Sequence, residues 1–408
     1  MTALADRRSV EDVHSRSILA GYSPDVMFSS TVLVVGAGAL GQNVLLNLAL
    51  AGVQQLLVVD HDMFEPHNVT RSPLYPPASD VSDRGLGKAV NVAHRALAVA
   101  TAPEADIWWA ARTIQRVGDG VIRAADVVVS AVDDMSARAW LAERCRVVGR
   151  PMVEGGFQDS RYNVSVFGPD PDEACFRCVN PSRESSASCT KYALKAEAAA
   201  IVPALQTTAA VAGGLVAEHA IGWLHGRTPI RARRVYGDIR TGSSSVAVLT
   251  TSLACPGVHT ASGPLVDADI DPNGTVADAA SWARRAGYAS ILLPEPAVVR
   301  AACTRCGAVC DVRAGESTWL LSPLCAGCGG PWHPAEGHGP ALVRAIDVDH
   351  PQDLVDLSLR EAGLPPGATL DIVHADGSPA GALLPGSPLD DLRRARGDAG
   401  DEDDRPRC

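Results

Sequence analysis

The chain has 408 residues, with 36 basic and 47 acidic side chains and a formal net charge of −11. This length predicts two or three domains, and the acidic balance argues against a protein whose main task is to coat nucleic acid or anionic lipid. The first residues are polar and contain no apolar signal-peptide core. The 11 cysteines include several Cys-x-x-Cys pairs, which in a reducing compartment indicate metal ligands or a reactive thiol rather than a disulfide framework. We therefore expect a cytoplasmic protein without a nucleic-acid partner.

Residues 31–60 follow the order strand, glycine-rich turn, helix and strand. The run TVLVVGAGALG predicts a buried strand and a turn, and QNVLLNLALAG predicts a helix that ends at Gly52. QQLLVVD predicts a second strand that ends at Asp60, and DVVVSAVDD predicts a further strand over Asp126–Asp134. Strands that alternate with helices indicate an α/β fold with a doubly wound, mainly parallel sheet of the Rossmann-like kind, in which ligands bind beyond the carboxyl ends of the strands.

The segment Ala198–Ala217 carries no charged side chain. Its length would suffice for a membrane span, but Pro203 and several glycine, glutamine and threonine residues interrupt it. We therefore predict a buried helix over 203–225 and no membrane partner. The preceding residues 169–192 are rich in proline, serine, aspartate and cysteine and predict a loop over the site, while residues 229–249 predict late strands.

Three glycines, Gly36, Gly38 and Gly41, form the pattern G-x-G-x-x-G directly after a strand and before a helix. Glycines let the backbone approach phosphate closely, and the amino terminus of the helix supplies amide donors. Asp60 follows Gly36 by 24 positions, near the usual place for an acid that holds ribose hydroxyls. The motif alone predicts a nucleotide site, with NAD or FAD as the default ligand.

Polar and cationic residues follow the second predicted strand, namely Asn68, Arg71 and Lys88. A nicotinamide site needs no such density of cations, whereas attack at the α-phosphate of a triphosphate builds negative charge on phosphoryl oxygens. Asp133 ends the next predicted strand and could hold Mg²⁺ through its carboxylate oxygens, while Asp134 is expected to cap the following helix. The pattern favours ATP, and a zinc-containing NAD-dependent dehydrogenase is the alternative.

The successive motifs GAGALG, VVDHDMFEPHNVTRS, GLGK, SAVDD and CFRC resemble those of the ubiquitin-activating-enzyme-like superfamily of the ThiF, MoeB and HesA type. The resemblance covers residues 12–260 or so. It implies an ATP-dependent adenylyltransferase that activates the C-terminal carboxylate of a ubiquitin-like or sulfur-carrier protein ending in Gly-Gly. Pyrophosphate is released, and the activated protein serves sulfur transfer or conjugation. A non-catalytic nucleotide-binding scaffold is a further alternative.

The resemblance also implies roles for individual residues. Asp60 matches the ribose-binding acid, and Asp133 matches the Mg²⁺-linked aspartate. Asn68, Arg71 and Lys88 match the groups that hold the triphosphate. The stretch between Arg71 and Lys88 is a few residues longer than in simple members of the superfamily.

The segment HSRSILAGY resembles the Tyr-Ser-Arg-Gln segment of the superfamily. Arg16 would then be the arginine that reaches into the site of the partner subunit, which implies a homodimer. His14 and Ser17 replace the usual tyrosine and glutamine at this place.

Two thiols of one motif, Cys175 and Cys178, have the spacing that lets them share one zinc ion. The superfamily usually places a second Cys-x-x-Cys near residue 255. Val258 occupies the second cysteine position here, so we predict that Cys255 and His259 complete the ligand set. The alternative is a degenerate site in which Cys175 and Cys178 are free thiols.

A second set of thiols comprises Cys303, Cys306, Cys325 and Cys328. These form two similar knuckles with glycine next to the second cysteine, and such paired knuckles predict a structural Zn²⁺ site. Because aromatic and basic residues are sparse around them, a structural or protein-docking ribbon is favoured over one that binds nucleic acid.

Cys189 lies in the polar loop that follows the first knuckle. In the superfamily, a cysteine near this point can form a thioester or an acyl persulfide with the activated carboxylate. Lys191 lies close in sequence and would favour the thiolate. A catalytic role for Cys189 and a passive one both remain open at this point.

Changes in composition divide the chain into four predicted regions. A ThiF-like adenylation domain over 1–262 is followed by a linker and zinc-ribbon-containing unit over 263–345. A small C-terminal unit is predicted over 346–385. The tail over 386–408 ends in GDAGDEDDRPRC and is predicted to be disordered and acidic.

Overall fold

The structure is a computed structural model that describes residues 12–74, 87–180, 204–227, 232–255, 257, 265–319, 324–335, 342–349 and 354–395. These residues form two compact units. The first unit contains the described residues of 12–111, 122–257 and 392–395. The second contains those of 112–121 and 265–391.

The first unit is built on one sheet, whose described strands follow the order β16-β3-β2-β1-β4-β5-β6-β7-β8. Their bounds are β1 Thr31–Val35, β2 Gln55–Val59, β3 Asp106–Ala110, β4 Val127–Ser130, β5 Met152–Gln158, β6 Arg161–Phe167, β7 Arg233–Asp238, β8 Ser243–Val248 and β16 Arg393–Arg394. Strands β3, β2, β1, β4 and β5 are parallel, and β6, β7 and β8 continue the sheet in antiparallel fashion. The predicted α/β fold with a mainly parallel sheet is confirmed, with an antiparallel extension.

Helices cover both faces of this sheet. In the first unit they are α1 at residues 12–19, α2 Pro24–Met27, α3 Ala39–Ala51, α4 Lys88–Val99, α7 Met135–Val147, α8 Phe176–Val179 and α9 Gln206–Leu224. Strands β1, β2 and β4 and helices α3, α4 and α9 contribute fully buried aliphatic side chains to one core. Burial of each such side chain stabilises the folded state by roughly 1.5–3 kcal/mol. The parallel strands therefore form the rigid base of the site.

Residues next to their ends explain where helix α3 and strand β4 stop. Helix α3 ends at Gly52, which adopts φ 91 and the left-handed conformation of a C-cap, as the glycine after an apolar helix predicts. Strand β4 ends at Ser130 rather than at Asp134. The chain leaves the sheet there because Asp134 already caps α7, with its side chain accepting a hydrogen bond from the backbone N–H of Ala137.

Helix α9 confirms the predicted buried helix, and its small residues face the sheet. A Cβ at Gly213 would lie 2.5 Å from Cβ of Asn43 in α3, so only glycine permits this close approach of the two helices. Among the described residues, no helix combines the length and the apolar character needed to cross a bilayer.

The second unit is built on a smaller sheet around the long strand β10. Its described strands are β9 Val266–Asp267, β10 Tyr288–Cys303, β11 Val309–Gly315, β12 Trp332–Pro334, β13 Leu342–Asp347, β14 Thr369–His374 and β15 Pro379–Leu383, and its helices are α5 Ile114–Val117, α10 Val276–Arg285 and α11 Glu316–Trp319. Helix α6, Gly120–Ala124, lies where the chain returns to the first unit. The backbone N–H of Thr369 donates to Asp119 at 2.7 Å. This hydrogen bond holds the segment 112–121 to the rest of the second unit.

Two predicted regions meet in this sheet. Strand β10 pairs with β13 and also with β14, so residues of the predicted 263–345 and 346–385 regions share one sheet and one core. Part of the predicted disordered tail also takes part in structure. Strand β16 pairs with the edge strand β3, and the guanidinium of Arg394 lies 4.5 Å from the ring centroid of Trp108.

Candidate nucleotide site and cysteine clusters

The three glycines of the loop serve different purposes. Gly36 has φ +97, and a Cβ there would lie 2.6 Å from the carbonyl oxygen of Ala131. A Cβ at Gly41 would collide with the carbonyl oxygen of Gly36. Gly38 caps α3 with an ordinary φ of −75, and a Cβ there would meet no atom within 4 Å. Gly36 and Gly41 therefore close the turn, while Gly38 faces open space at the amino terminus of a 13-residue helix, where a phosphate would be stabilised.

Asp60 follows β2 and holds the glycine loop from the neighbouring strand. Its Oδ2 accepts the backbone N–H of Ala37 at 2.6 Å, and its Oδ1 accepts that of Asp62 at 2.7 Å. The residue is buried, and burial, followed by the nearby charge of Asp62, raises the pKa of this carboxyl above its usual range. The predicted ribose acid is therefore a fixed element at the carboxyl end of the sheet.

Lys88 begins α4 and lies against the same strand end. Its backbone N–H donates to the carbonyl of Asp62 at 2.7 Å, and its Nζ lies 2.6 Å from Oδ2 of Asp62. Burial acts to lower the pKa of Lys88, but the negative charges of Asp60, Asp62 and Asp133 raise it above its usual value. The structure thus brings Lys88, Asp60 and Asp133 into one electrostatic neighbourhood, with the lysine kept as a cation.

Asp62 is the partner that motif analysis missed. It is the second aspartate of VVDHD, whereas the family resemblance assigns a role only to the first, Asp60. The Lys88 charge pulls the pKa of Asp62 down, against the opposing effect of burial. The spacing of the motifs does not indicate this pair, because the two residues are 26 positions apart and meet only in the fold.

Asn68 and Arg71 lie on a 3-10 turn, Pro66–Arg71, that follows β2. The Asn68 side chain is buried, and its Oδ1 accepts the backbone N–H of Glu65 at 3.0 Å. Arg71 ends the turn, half-buried, and its guanidinium makes no ion pair or hydrogen bond with another described residue. Asn68 therefore stabilises the turn itself, and the cation of Arg71 is not paired with another residue of the described ranges.

Asp133 is exposed on the short loop between β4 and α7. Arg138 of α7 anchors this loop: its Nε donates to the carbonyl of Val132 at 2.6 Å and its Nη1 to Oε1 of Glu154 at 2.6 Å. Both side chains of this pair are largely buried, at 14% and 3% exposure. No other Cys, His or acidic group of the described chain forms a metal cluster with Asp133, so Mg²⁺ there is a proposal.

The first cysteine cluster joins the start of α8 to the segment after β8. The Sγ atoms of Cys175 and Cys178 lie 3.8 Å apart, and those of Cys175 and Cys255 lie 3.5 Å apart. All three are within 4.8 Å of one another, a spacing that fits thiolates around one zinc ion. The predicted fourth ligand, His259, lies outside the described residues.

The second cluster brings together all four predicted thiols of the ribbon. Sγ of Cys303 lies 3.4 Å from that of Cys328, and Sγ of Cys306 lies 3.8 Å from that of Cys325. Gly307 and Gly329 follow the second cysteine of each knuckle with φ 73 and φ 67, which is why glycine stands there. Four sulfurs within 4.8 Å of one another fit a closed zinc site.

Of the two remaining residues predicted to be catalytic, Arg16 and Cys189, only Arg16 lies within the described part of the chain. Arg16 is exposed on α1, and the ring of His14, two residues before it, packs against Phe28 at 5.5 Å and beside Gly52. Gly52 ends α3, whose 13 residues span roughly 20 Å. Arg16 is thus remote from the glycine loop of its own chain. Cys189 lies outside the described residues.

The chain is similar in sequence to known proteins. The profile of the ThiF family matches residues 19–254. The adenylyltransferase and sulfurtransferase MOCS3 of Arabidopsis thaliana is 27% identical over 165 residues, 40% of this chain and 34% of that protein. The SAMP-activating enzyme E1 of Haloferax volcanii is 32% identical over 156 residues, 38% of this chain and 55% of that protein. The chain therefore spans a third to about half of these relatives.

Among solved structures, E. coli MccB with ATP has a TM-score of 0.47 at 18% identity, over 57% of this chain and 67% of that one. The family match covers the glycine loop, Asp60, Lys88, Asp133 and two cysteines of the first cluster, Cys175 and Cys178, and extends over more than half of the chain. On the strength of this family match, the chain belongs to the ThiF family.

Proposed function

We propose that this protein is an ATP-dependent adenylyltransferase that activates the C-terminal carboxylate of a ubiquitin-like or sulfur-carrier protein ending in Gly-Gly. One observation carries the proposal. The open space at Gly38, the buried Asp60 and the cation of Lys88 lie together at the carboxyl edge of a sheet that the ThiF family matches. This edge suits ATP, and the family favours adenylyl transfer over the dehydrogenase and scaffold alternatives.

The chain's residues would divide the work as follows. The amino terminus of α3 faces the phosphates, and Asp60 accepts hydrogen bonds from the ribose hydroxyls. Arg71 and Lys88 neutralise the charge that develops when a carboxylate oxygen of the carrier attacks the α-phosphate and pyrophosphate leaves. Asn68 holds the turn that carries Arg71. Mg²⁺ bound through Asp133 would add positive charge at the phosphates.

The decisive experiment is ATP–pyrophosphate exchange with candidate carriers. We expect exchange only when a carrier with a free C-terminal Gly-Gly is present, and none when the terminal carboxylate is amidated. Exchange that ignores the carrier would contradict the proposal. ATP binding without any exchange would favour the scaffold, and binding of NAD in place of ATP would favour the dehydrogenase.

Arg16 is proposed to act on the site of a second subunit in a homodimer. The ring of His14, two residues before Arg16, lies beside Gly52 at the end of α3 opposite the glycine loop, which supports action in trans. A guanidinium can bind two phosphate oxygens at once and is permanently charged, and two-fold dimers are the commonest homo-oligomers. The location in the cytoplasm and the lack of a nucleic-acid partner stay predictions.

Subunit complementation tests this arrangement. Arg16→Ala and Lys88→Ala chains are each expected to be inactive alone. A mixed dimer contains one site with both Lys88 and a neighbouring Arg16, so partial exchange should return on mixing. Absence of recovery, with subunit mixing verified by differently tagged chains, would contradict action in trans.

Cys189 is proposed to receive the acyl group from the adenylate. Cys189→Ala should retain pyrophosphate exchange, because adenylation precedes transfer to sulfur. It should lose any thiol-sensitive covalent adduct with the carrier, which mass spectrometry under non-reducing conditions detects. Unchanged transfer to sulfur or to an amine in this variant would show that the cysteine is passive.

Zn²⁺ is proposed at both cysteine clusters, with His259 as the fourth ligand of the first. The sulfur separations support the ligand sets, and both ions would hold the backbone rather than take part in adenylation. Elemental analysis should give two zinc ions per chain. A value of one that is unaffected by His259→Ala would contradict the proposed ligand set of the first site.

A further inference from the structure

We propose that Gln42 is a positioning residue that fixes the glycine loop to the phosphate-facing arm, defined here as residues 65–74, and thereby sets the affinity for ATP. The inference rests on the proposed function for the identity of the nucleotide. Neither the glycine motif nor the triphosphate-binding motif includes this residue, and its neighbours in the chain are ordinary apolar and polar positions of a helix.

The side chain of Gln42 is fully buried in the first turn of α3. Its Nε2 donates to the carbonyl of Ala37, in the glycine loop, at 3.0 Å. Its Oε1 accepts the backbone N–H of Leu74, at the end of the arm, at 3.2 Å. The amide of Gln42 thus donates a hydrogen bond to one segment and accepts a hydrogen bond from another segment that is distant in sequence. No charged or apolar side chain of this length could both donate and accept in this way.

Each segment that Gln42 holds carries groups of the nucleotide site. Ala37 also donates its backbone N–H to Asp60. Gln42 therefore holds the carbonyl of Ala37, while Asp60 holds the N–H of the same residue. The arm carries Asn68 and Arg71. Because a 3-10 turn has poor internal hydrogen-bond geometry, the arm needs an outside tie, and Leu74 is where it is tied.

The position of Arg71 depends on this tie. Its guanidinium has no ion pair or hydrogen bond to any other described residue, so among these residues the backbone of the turn is what places the base of this side chain. Loss of the hydrogen bond to Leu74 would leave a buried backbone N–H unsatisfied and free the end of the turn. The expected result is weaker contact of Arg71 with phosphate, while the glycine loop keeps its φ angles.

The same helix offers a matched control in Asn43. This amide is also buried, at 4% exposure, but it faces α9: its Oδ1 accepts from Nε2 of Gln206 at 3.0 Å, and its Nδ2 donates to the carbonyl of Ala39 at 2.8 Å. Asn43→Leu therefore removes a buried amide of α3 whose side-chain hydrogen bonds go to Ala39 and to Gln206 of α9 rather than to the arm. Gln42→Met removes the amide that holds the arm and keeps the length of the side chain.

The test compares Gln42→Met, Asn43→Leu and wild type in the full-length protein. Hydrogen exchange at the Leu74 amide should accelerate roughly ten- to a hundredfold in Gln42→Met alone, because a buried donor loses its acceptor. The Kd for a non-hydrolysable ATP analogue, measured by calorimetry, should rise about tenfold in Gln42→Met alone. Arg71→Ala should weaken binding less in the Gln42→Met background than in wild type, since coupled residues are non-additive.

Several outcomes would overturn the inference. It fails if the Leu74 amide stays protected in Gln42→Met, if the Kd is unchanged, or if Asn43→Leu weakens ATP binding equally, which would indicate general destabilisation. Additive effects of Gln42→Met and Arg71→Ala would also contradict it. A protein that binds ATP but shows no carrier-dependent pyrophosphate exchange would refute the proposed function and leave the role of Gln42 intact.

Discussion

The nucleotide site and the four-cysteine cluster of the second unit are assembled in opposite ways. The nucleotide site gathers residues from segments that are distant in sequence and tied by the fold, as when Asp60 holds Ala37 and the backbone of Lys88 donates to Asp62. The cluster consists of two short turns, each closed by its own hydrogen bond, from Gly307 to Cys303 and from Gly329 to Cys325. The nucleotide site can form only after the sheet has brought its segments together. Each turn of the cluster, by contrast, is closed by residues that are four positions apart in the chain.

Electrostatics separates the two regions as well. In the nucleotide site the cation of Lys88 already has a partner in Asp62, so a phosphate competes with a carboxylate of the protein. In the cluster, the backbone N–H of Cys306 first, and then that of Arg305, holds the pKa of the Cys303 thiol at about 6. Thiolates gathered within 4.8 Å of one another repel, and a divalent cation relieves that repulsion.

The largest effect is expected from breaking the four-cysteine cluster. Cys325→Ser should remove one zinc ion per chain and unfold the knuckles, because structural zinc contributes about 10–16 kcal/mol to the folding of comparable small sites. Elemental analysis and hydrogen exchange over residues 303–328 measure both. Cys145→Ser removes a buried thiol outside either cluster and should leave the zinc content unchanged. Full zinc occupancy in Cys325→Ser would contradict the assignment.

The second prediction concerns Lys88, the cation of the distributed site. Lys88→Ala should lower ATP–pyrophosphate exchange about 10²- to 10³-fold, the usual cost of removing one charge-stabilising donor. Lys88→Arg keeps the charge and should lose less. Zinc content and the thermal unfolding midpoint of both variants serve as controls. Unchanged exchange in Lys88→Ala would refute the role of this residue at the phosphates.

The third prediction separates glycines that shape the loop from the glycine that faces the ligand. Gly36→Ala forces a positive φ on alanine and places Cβ 2.6 Å from a carbonyl oxygen, so it should cost about 2–4 kcal/mol of unfolding free energy. Gly38→Ala meets no protein atom and should leave stability unchanged while raising the Kd for ATP. Denaturant unfolding and calorimetry distinguish the two effects. Equal stability of both variants would contradict this division.

The sequence predicts the parallel core well because its signals are local. Buried aliphatic runs identify β1, β2 and β4, and Gly52 marks the end of α3. The pairing of β16 with β3 could not be predicted, since two arginines next to an acidic tail carry no strand periodicity. Their stability comes from tertiary contacts, with Arg393 and Arg394 lying over Trp109 and Trp108.

The candidate site divides in a similar way. Motif spacing identifies the glycines, Asp60 and the ribbon cysteines, because their chemistry fixes the spacing. Asp62 and Gln42 act through partners that are 26 and 32 positions away, and only the fold reveals such contacts. Residues that position others therefore escape a search for motifs, whereas residues proposed to touch the nucleotide or a metal ion carry a spacing that such a search finds.

The smallest expected effect comes from two adjacent aspartates on the loop that leads into α7. Asp134 accepts the backbone N–H of Ala137 at 2.7 Å, so Asp134→Ala should cost about 1 kcal/mol of stability through the lost helix cap, with exchange activity reduced only in proportion to the folded fraction. Asp133 is exposed and caps nothing, so Asp133→Ala should leave the unfolding free energy unchanged and lower exchange at every Mg²⁺ concentration. Denaturant melts and a Mg²⁺ titration of exchange measure the two roles separately. If Asp133→Ala destabilised the protein and retained exchange, this result would contradict the proposed metal-linked role of Asp133.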